Sequence, residues 1–519
     1  MSLANHLFKA LGEGRSSALG VVTSAQAAVK EAGRHNVSRA TSKMSKITRS
    51  RNNVNRDLSR FVKLPLAMSE VEVPLLKALD PNPDNAELTK LPFYDPHELL
   101  NWLVSTGRVD VNENDIKTWW EHFHRLDVEW ARNFRDEDCK CIPVSVYGDT
   151  AQFTKENDKF TALLLGFPMR KVKGRPFLKT FMFFVVNSFR SCGAATMRPV
   201  YHRTMWSLTI AYRGRRPQVG PDNMADSVPA MYRKLKPAMQ YRFACVQYKG
   251  DWEYHEKCWA LQTYWRTKRI CFLCHASLNA RHGTCYTLFG AAFTRRTPVD
   301  MILNSMPAQP NPLVLVPGWH PQLLRYCAMH SLQLGIYQIV TAESLLWLCR
   351  HGVFGGPHLD IDVRLANAYV AFKSWMASSR LTCSGRMFSS KRLHLCSTDY
   401  PYLGYKAYNT RVVLAFVAAQ LCDNRVQDTM RASMAETDLV LHEIICTCVY
   451  EVSQFQNEME DAASLLTSQE AQSLYRRGHL FLKLFREAAL IYVRRQELHW
   501  FLRPKMHTLD EMLRSILLE

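Results

Sequence analysis

The chain has 519 residues, 47% of them hydrophobic, and 66 Lys and Arg against 47 Asp and Glu, a formal charge of +19. Such a chain can bury a large core and divides into about two to four domains, or one domain with large insertions, and its basic excess makes an anionic polymer the partner to expect. No apolar run approaches the roughly 20 residues that cross a bilayer, Met1–Val22 is broken by Lys9, Glu13 and Arg15 and lacks a signal-peptide pattern, and the 15 cysteines form no disulfide framework. The expectation is a soluble intracellular or nuclear protein with reduced thiols and no membrane contact.

Residues 1–60 carry 11 Lys or Arg against Glu13, Glu31 and Asp57. They read as a mobile basic arm with one helix near Ala25–Ala32, suited to touching nucleic acid, to serving as a nuclear import signal, or to neither. Residues 61–138 read as helical, with Pro96–Thr106 and Glu113–Asn133 as helices. Trp119, Trp120, Phe123 and Trp130 in the second are assigned to the core rather than to a base-stacking platform.

Residues 139–266 form a strand-rich block: Ile142–Tyr147, Phe160–Phe167, Leu178–Val186, a helix or loop, then Tyr241–Tyr248, with a helical stretch over Trp252–Trp265. Two of these strands run into Gly148-Asp149 and Gly250-Asp251. Gly-Asp is common turn punctuation. It also delivers a carboxylate at a strand end, and two such carboxylates on neighbouring strands can hold the hard divalent ions of a two-metal phosphoryl-transfer site. From Arg170 to Lys236, 14 basic residues face only Asp222 and Asp226. Phe177, Phe181, Phe189, Tyr201, Trp206 and Tyr212 are interleaved with Arg175, Lys179, Arg190, Arg203 and Arg213. The aromatics are read as core faces of strands and the arginines as their solvated faces, a basic surface that could neutralise phosphates.

Residues 267–330 read as a CxxC-containing insertion and linker, with six prolines between Thr297 and Pro321. Cys271 and Cys274 can present two thiolates to one Zn²⁺, with His275 or His330 as partners and a fourth ligand unidentified. The competing reading is a pair of buried, inert thiols. From residue 331 to 519 the chain is helix-periodic, over Ile336–Cys349, Leu365–Ala377, Asn409–Leu421, Asp428–Ala463 and Thr467–Leu502.

The ordered series carries a resemblance: strand-Gly148-Asp149, the basic block, strand-Gly250-Asp251-Trp252, RICFLCHA at 269–276, YCAMHSLQLGI at 326–336, YPYLGYKAYNTR at 400–411 and FLRPKMHTLDEML at 501–513. Over residues 95–519 it resembles a transposase-like family of protist mobile elements, distantly similar to CACTA-type and KDZ-type DDE transposases. The resemblance implies an α/β fold with an RNase H-like mixed sheet core, a zinc-type insertion and a large helical half. It implies that Asp149 and Asp251 match the first two acids of the DDE triad and bind Mg²⁺ or Mn²⁺. The implied reaction is metal-dependent DNA strand cleavage and transfer, the partner is DNA, and a homo-oligomer is compatible with it.

The departures are specific. No third acid is identifiable: Glu343, Glu436, Glu443 and Glu511 each sit in an amphipathic pattern whose default is a solvated face. Cys327 and Ala328 precede Met329-His330 where the family carries an Asp-x-Met-His-like segment. The chain therefore reads as a truncated or inactive core in which DNA binding outlives cleavage. The alternatives are a non-catalytic nucleic-acid-binding protein derived from a transposase, and a helical interaction protein whose charge is incidental.

Overall fold

A computed structural model describes residues 3–12, 16–47, 54, 66–77, 80, 82–152, 158–169, 180–278, 283–305, 309–396 and 398–519. The part of the basic run between Arg170 and Lys179, with Phe177 and Arg175, lies outside the described residues.

The molecule is mixed α/β. A two-stranded antiparallel hairpin, β1 (Ser69–Leu75) and β2 (Glu87–Phe93), precedes a five-stranded sheet of β3 (Ile142–Gln152), β4 (Lys159–Gly166), β5 (Thr180–Asn187), β6 (Phe243–Gly250) and β7 (Leu324–Tyr326). The strand order is β5-β4-β3-β6-β7. β3, β4 and β5 meander antiparallel, whereas β6 joins the other side of β3 in parallel and β7 joins β6 in parallel. β3 and β6 are central and covered on both faces, so each reads as a nearly unbroken buried run. Edge strand β5 exposes Met182 and Val185.

The long crossover before β6 contains a 20-residue helix, Ala194–Arg213, where the sequence left a choice between helix and loop. Tyr201, Trp206 and Tyr212 therefore belong to a helix, not to strand faces, and Arg203 of the same helix is buried. Asp149 lies inside β3, which continues to Gln152 rather than ending at Tyr147. The helix after Asp251 covers only Trp252–Lys257.

The described part of residues 1–60 includes the helices Leu3–Gly12, Ala18–Ala32 and Arg39–Met44, sharing a small core of Ala4, Leu7, Val21, Val22, Ala25, Met44 and Ile47. That differs from an arm with a single helix.

The helical half has its own core, built by Tyr337–Arg350, Ile361–Ser378, Ala407–Leu421, Glu436–Asp461, Ser468–Arg494 and a final helix, Lys505–Leu518. The first of these continues from a π-helical run, Met329–Ile336. Among the described residues Met329–Arg350 is the one helical stretch long and apolar enough to cross a membrane, and 78% of its apolar window is buried inside the protein. The final helix packs on both Ser468–Arg494 and the π-helical run. It thus brings the C-terminal residues back to the sheet.

Candidate metal centres

β3 and β6 pair in parallel with Gly148 opposite Gly250, so Asp149 and Asp251, the next residue of each segment, stand side by side. The two glycines have a steric cause. A Cβ on Gly148 would lie 1.9 Å from the Tyr254 ring, and one on Gly250 would lie 2.2 Å from it. The ring lies across both strands, fixed by the 2.7 Å hydrogen bond from Tyr201 Oη to Tyr254 Oη. The paired Gly-Asp motif therefore seats one aromatic side chain beneath two carboxylates, rather than making two turns.

Each carboxylate is aimed. Asp251 caps the following helix, its Oδ1 accepting the Tyr254 N–H at 2.6 Å, while Oδ2 faces His330 Nε2 at 3.9 Å. Asp149 accepts the Tyr147 hydroxyl on Oδ2 at 2.7 Å and the Thr150 N–H on Oδ1 at 2.8 Å. Burial raises the Asp251 carboxyl above its ordinary value, with the Tyr254 N–H and His330 acting in the other direction. Ligand atoms of Asp149, Asp251 and His330 all lie within 4.8 Å of one another, a separation one divalent ion can bridge. His330 was expected beside the CxxC; the fold places it here.

The π-helical run positions His330. Its ring Nδ1 meets Cys327 Sγ at 3.2 Å. Burial works to lower the imidazole, but the Cys327 contact and the charges of Cys327, Asp251 and Asp149 raise it overall. Behind it, Lys505 Nζ donates to His330 O and Leu334 O, both at 2.9 Å. Burial, then Arg503, lowers the Lys505 ammonium to about 8. A cleft of about 170 Å³ opens in front of these groups, lined by Asp251, Trp252, Tyr264, Trp265, His330 and Lys505. Trp265 is partly exposed at its rim, with the Arg266 guanidinium 4.4 Å from its ring centroid.

A second cluster forms around the CxxC. Cys271 and Cys274 meet His507 and Glu511, four buried residues whose ligand atoms lie within 4.8 Å of one another. Both new members come from the final helix, at the i, i+4 spacing that puts them on one face. Cys274 Sγ is 3.3 Å from His507 Nε2, and His507 Nε2 is 3.5 Å from Glu511 Oε1. His507 is pushed up to about 10: its own burial opposes this, and hydrogen bonds with Cys271 and Glu511 overcome it. Burial would raise the Glu511 carboxyl, yet His507 and Arg295 bring it down to about 2. His275 stands apart, half-exposed and facing Asp300 at 3.4 Å. Glu511 is buried, against the expectation of a solvated face, and so is Glu343, which accepts from the Trp500 N–H and meets His499 Nδ1 at 2.7 Å.

No protein-family model matches the chain, and no curated protein is significantly similar to it.

Proposed function

We propose that this chain is a transposase-like protein with an RNase H-like core, which acts on DNA by metal-dependent strand cleavage and transfer and holds its divalent ion between Asp149, Asp251 and His330. The observation that carries the reading is the pairing of β3 and β6: neighbouring parallel strands deliver two carboxylates at one level, and the chain brings a third ligand to the same point. The strand order supports it, since three antiparallel strands followed by two parallel ones is the arrangement that an RNase H-like core requires. The donor set fits Mg²⁺ or Mn²⁺, with two hard oxygens and one imidazole.

When bound, such an ion polarises a phosphoryl oxygen and lowers the pKa of an attacking water or hydroxyl. The chain's residues supply orientation and charge. The Tyr254 N–H and the Tyr147 hydroxyl fix the two carboxylates before substrate arrives, which avoids reorganisation during the reaction. The cleft admits a backbone phosphate beside Asp251, and Arg266 at its rim can meet the next one. The missing third acid of the sequence reading is thereby replaced by an imidazole that lies 79 positions beyond Asp251 in the chain.

A nicking assay on supercoiled plasmid tests the reading. Mn²⁺-dependent nicking is expected, lost by about 100-fold or more in Asp149→Ala and Asp251→Ala and reduced in His330→Ala. Nicking that survives Asp149→Ala comes from a contaminant, and that result would leave this site without its reaction. Duplex binding with no nicking in any divalent ion would instead favour the non-catalytic derivative.

A further inference from the structure

We infer that Cys271, Cys274, His507 and Glu511 form a second, structural metal site that takes Zn²⁺ and fastens the final helix to the CxxC turn. This is independent of the reaction proposed for the Asp149 cleft. Its geometry is that of a closed site: four protein ligands, all buried, with no open position for substrate. Tetrahedral zinc bonds of about 2.0–2.3 Å place neighbouring ligand atoms about 3.3–3.8 Å apart. The contacts of 3.3 Å between Cys274 and His507 and 3.5 Å between His507 and Glu511 fall in that range.

The surroundings are arranged for thiolates. Each sulfur accepts a backbone N–H from two residues further on: Leu273 N to Cys271 Sγ at 3.3 Å and Ala276 N to Cys274 Sγ at 3.4 Å. Tyr326 Oη donates a third such bond to Cys271 Sγ at 3.4 Å. The turn is closed from behind by Arg296, whose Nε donates to Cys271 O at 3.2 Å and Cys274 O at 3.1 Å. These are the outer contacts that hold ligands of a metal in place.

Charge also balances once a metal is bound. Two thiolates and the Glu511 carboxylate would put three negative charges in a dry interior. Arg295, ion-paired to Glu511 Oε2, answers one of them. A dication answers the other two, so the cluster is neutral when loaded. Soft sulfur and imidazole donors select zinc over Mg²⁺ or Ca²⁺. The ligand pairs are more than 230 positions apart in sequence. A metal joining them closes a long loop and ties the helix carrying Lys505 to the sheet side of the molecule.

The test uses the full-length protein. One equivalent of zinc is expected by elemental analysis after gel filtration, and cobalt exchanged into it should give the thiolate-to-metal charge-transfer band and the strong visible bands of a tetrahedral site. Cys271→Ser and His507→Ala should each lose the metal. Because either variant can misfold, the parent protein supplies a second measurement: two cysteines shielded from a thiol reagent become reactive when a strong chelator is added, and mass mapping identifies them as Cys271 and Cys274. Zinc content unchanged in folded Cys271→Ser would overturn the assignment. So would a parent protein that holds no zinc, or in which the two cysteines are joined as a disulfide.

Discussion

At the residue scale, the two aspartates were legible because each follows a glycine at the end of an apolar run, but the reason for the glycines was not. Tyr254, three residues beyond Asp251, requires both, and nothing in a linear pattern shows a ring lying across two strands. His330 and Glu511 were visible as chemistry and misplaced as partners, since a contact between Asp251 and His330, 79 positions apart, or between Cys271 and Glu511, 240 positions apart, leaves no periodic trace. The signal that was available for the second cluster is the i, i+4 pair His507 and Glu511, which occupies one face of a helix whose opposite face carries apolar Leu509 and Leu513, so that both faces are buried.

His255 gives a prediction at the same scale. Fully buried against Phe272, with ring centroids 5.2 Å apart, it is lowered by burial to about 4, the carbonyl of Arg325 pulling weakly the other way. Its folded pKa lies below its unfolded value, so the unfolded chain binds the extra proton first. The neutral-histidine contribution is fully present above about pH 6.5 and is lost as pH falls through about 4, on the order of 3 kcal/mol in all. His255→Phe removes the titration. The stability of the parent minus that of the variant, measured by urea unfolding, should shrink by that order between about pH 7 and about pH 4. A difference that does not change with pH would mean that the imidazole is solvated.

At the scale of elements, the central strands were readable from their apolar runs, whereas the β1–β2 hairpin was not, because Pro74 and Pro92 interrupt its alternation. Helix Ala194–Arg213 hides for a similar reason, carrying Pro199 inside its first turns. The final helix matters most for the proposed metal sites. Lys505 at its start reaches over Gly335 to the His330 and Leu334 carbonyls, and so fixes the backbone that carries His330. Lys505→Met keeps the apolar stem and removes both donors. Leaving buried carbonyls unpaired costs about 1–3 kcal/mol each, and loss of an outer-shell contact typically costs about 10–100-fold in metal affinity. The expected outcome is a folded, modestly destabilised protein whose Mn²⁺ affinity at the Asp149 site, measured by titration calorimetry, falls at least about 10-fold. Undiminished affinity would show that the π-helical run holds its shape without the ammonium.

At the scale of the whole molecule, charge counted along the chain overstates what a polyanion meets. Three arginines of the basic stretch are spent internally: Arg190 on Glu87, Arg203 on Asp95 and Arg216 on Glu98. The Arg203–Asp95 pair is buried and bidentate, at 2.8 and 2.9 Å, so it supports the fold and is withdrawn from any ligand. Four other described cations of the stretch converge. The backbone bonds Arg216 N to Pro237 O at 2.7 Å and Met239 N to Gly214 O at 2.9 Å lay residues 213–216 beside 236–239. Exposed Arg213, Arg215, Lys234 and Lys236 thus gather near one end of the long crossover helix. Each phosphate such a cation neutralises releases counterions and adds nearly one unit to the slope of log affinity against log salt. Replacing these four by Glu should weaken duplex binding, whatever the DNA sequence, and flatten that slope by up to about four units. Arg203→Ala should act differently. It leaves Asp95 buried without its partner, at about 3–5 kcal/mol, and lowers the unfolding midpoint before it touches affinity. Titrations of labelled duplex at several salt concentrations, beside urea unfolding of both variants, separate the two effects. If the variant with all four replaced keeps the parent's salt slope, phosphate contact lies on another face, and the N-terminal segment with its exposed Arg34, Arg39, Lys43 and Lys46 becomes the surface to change next.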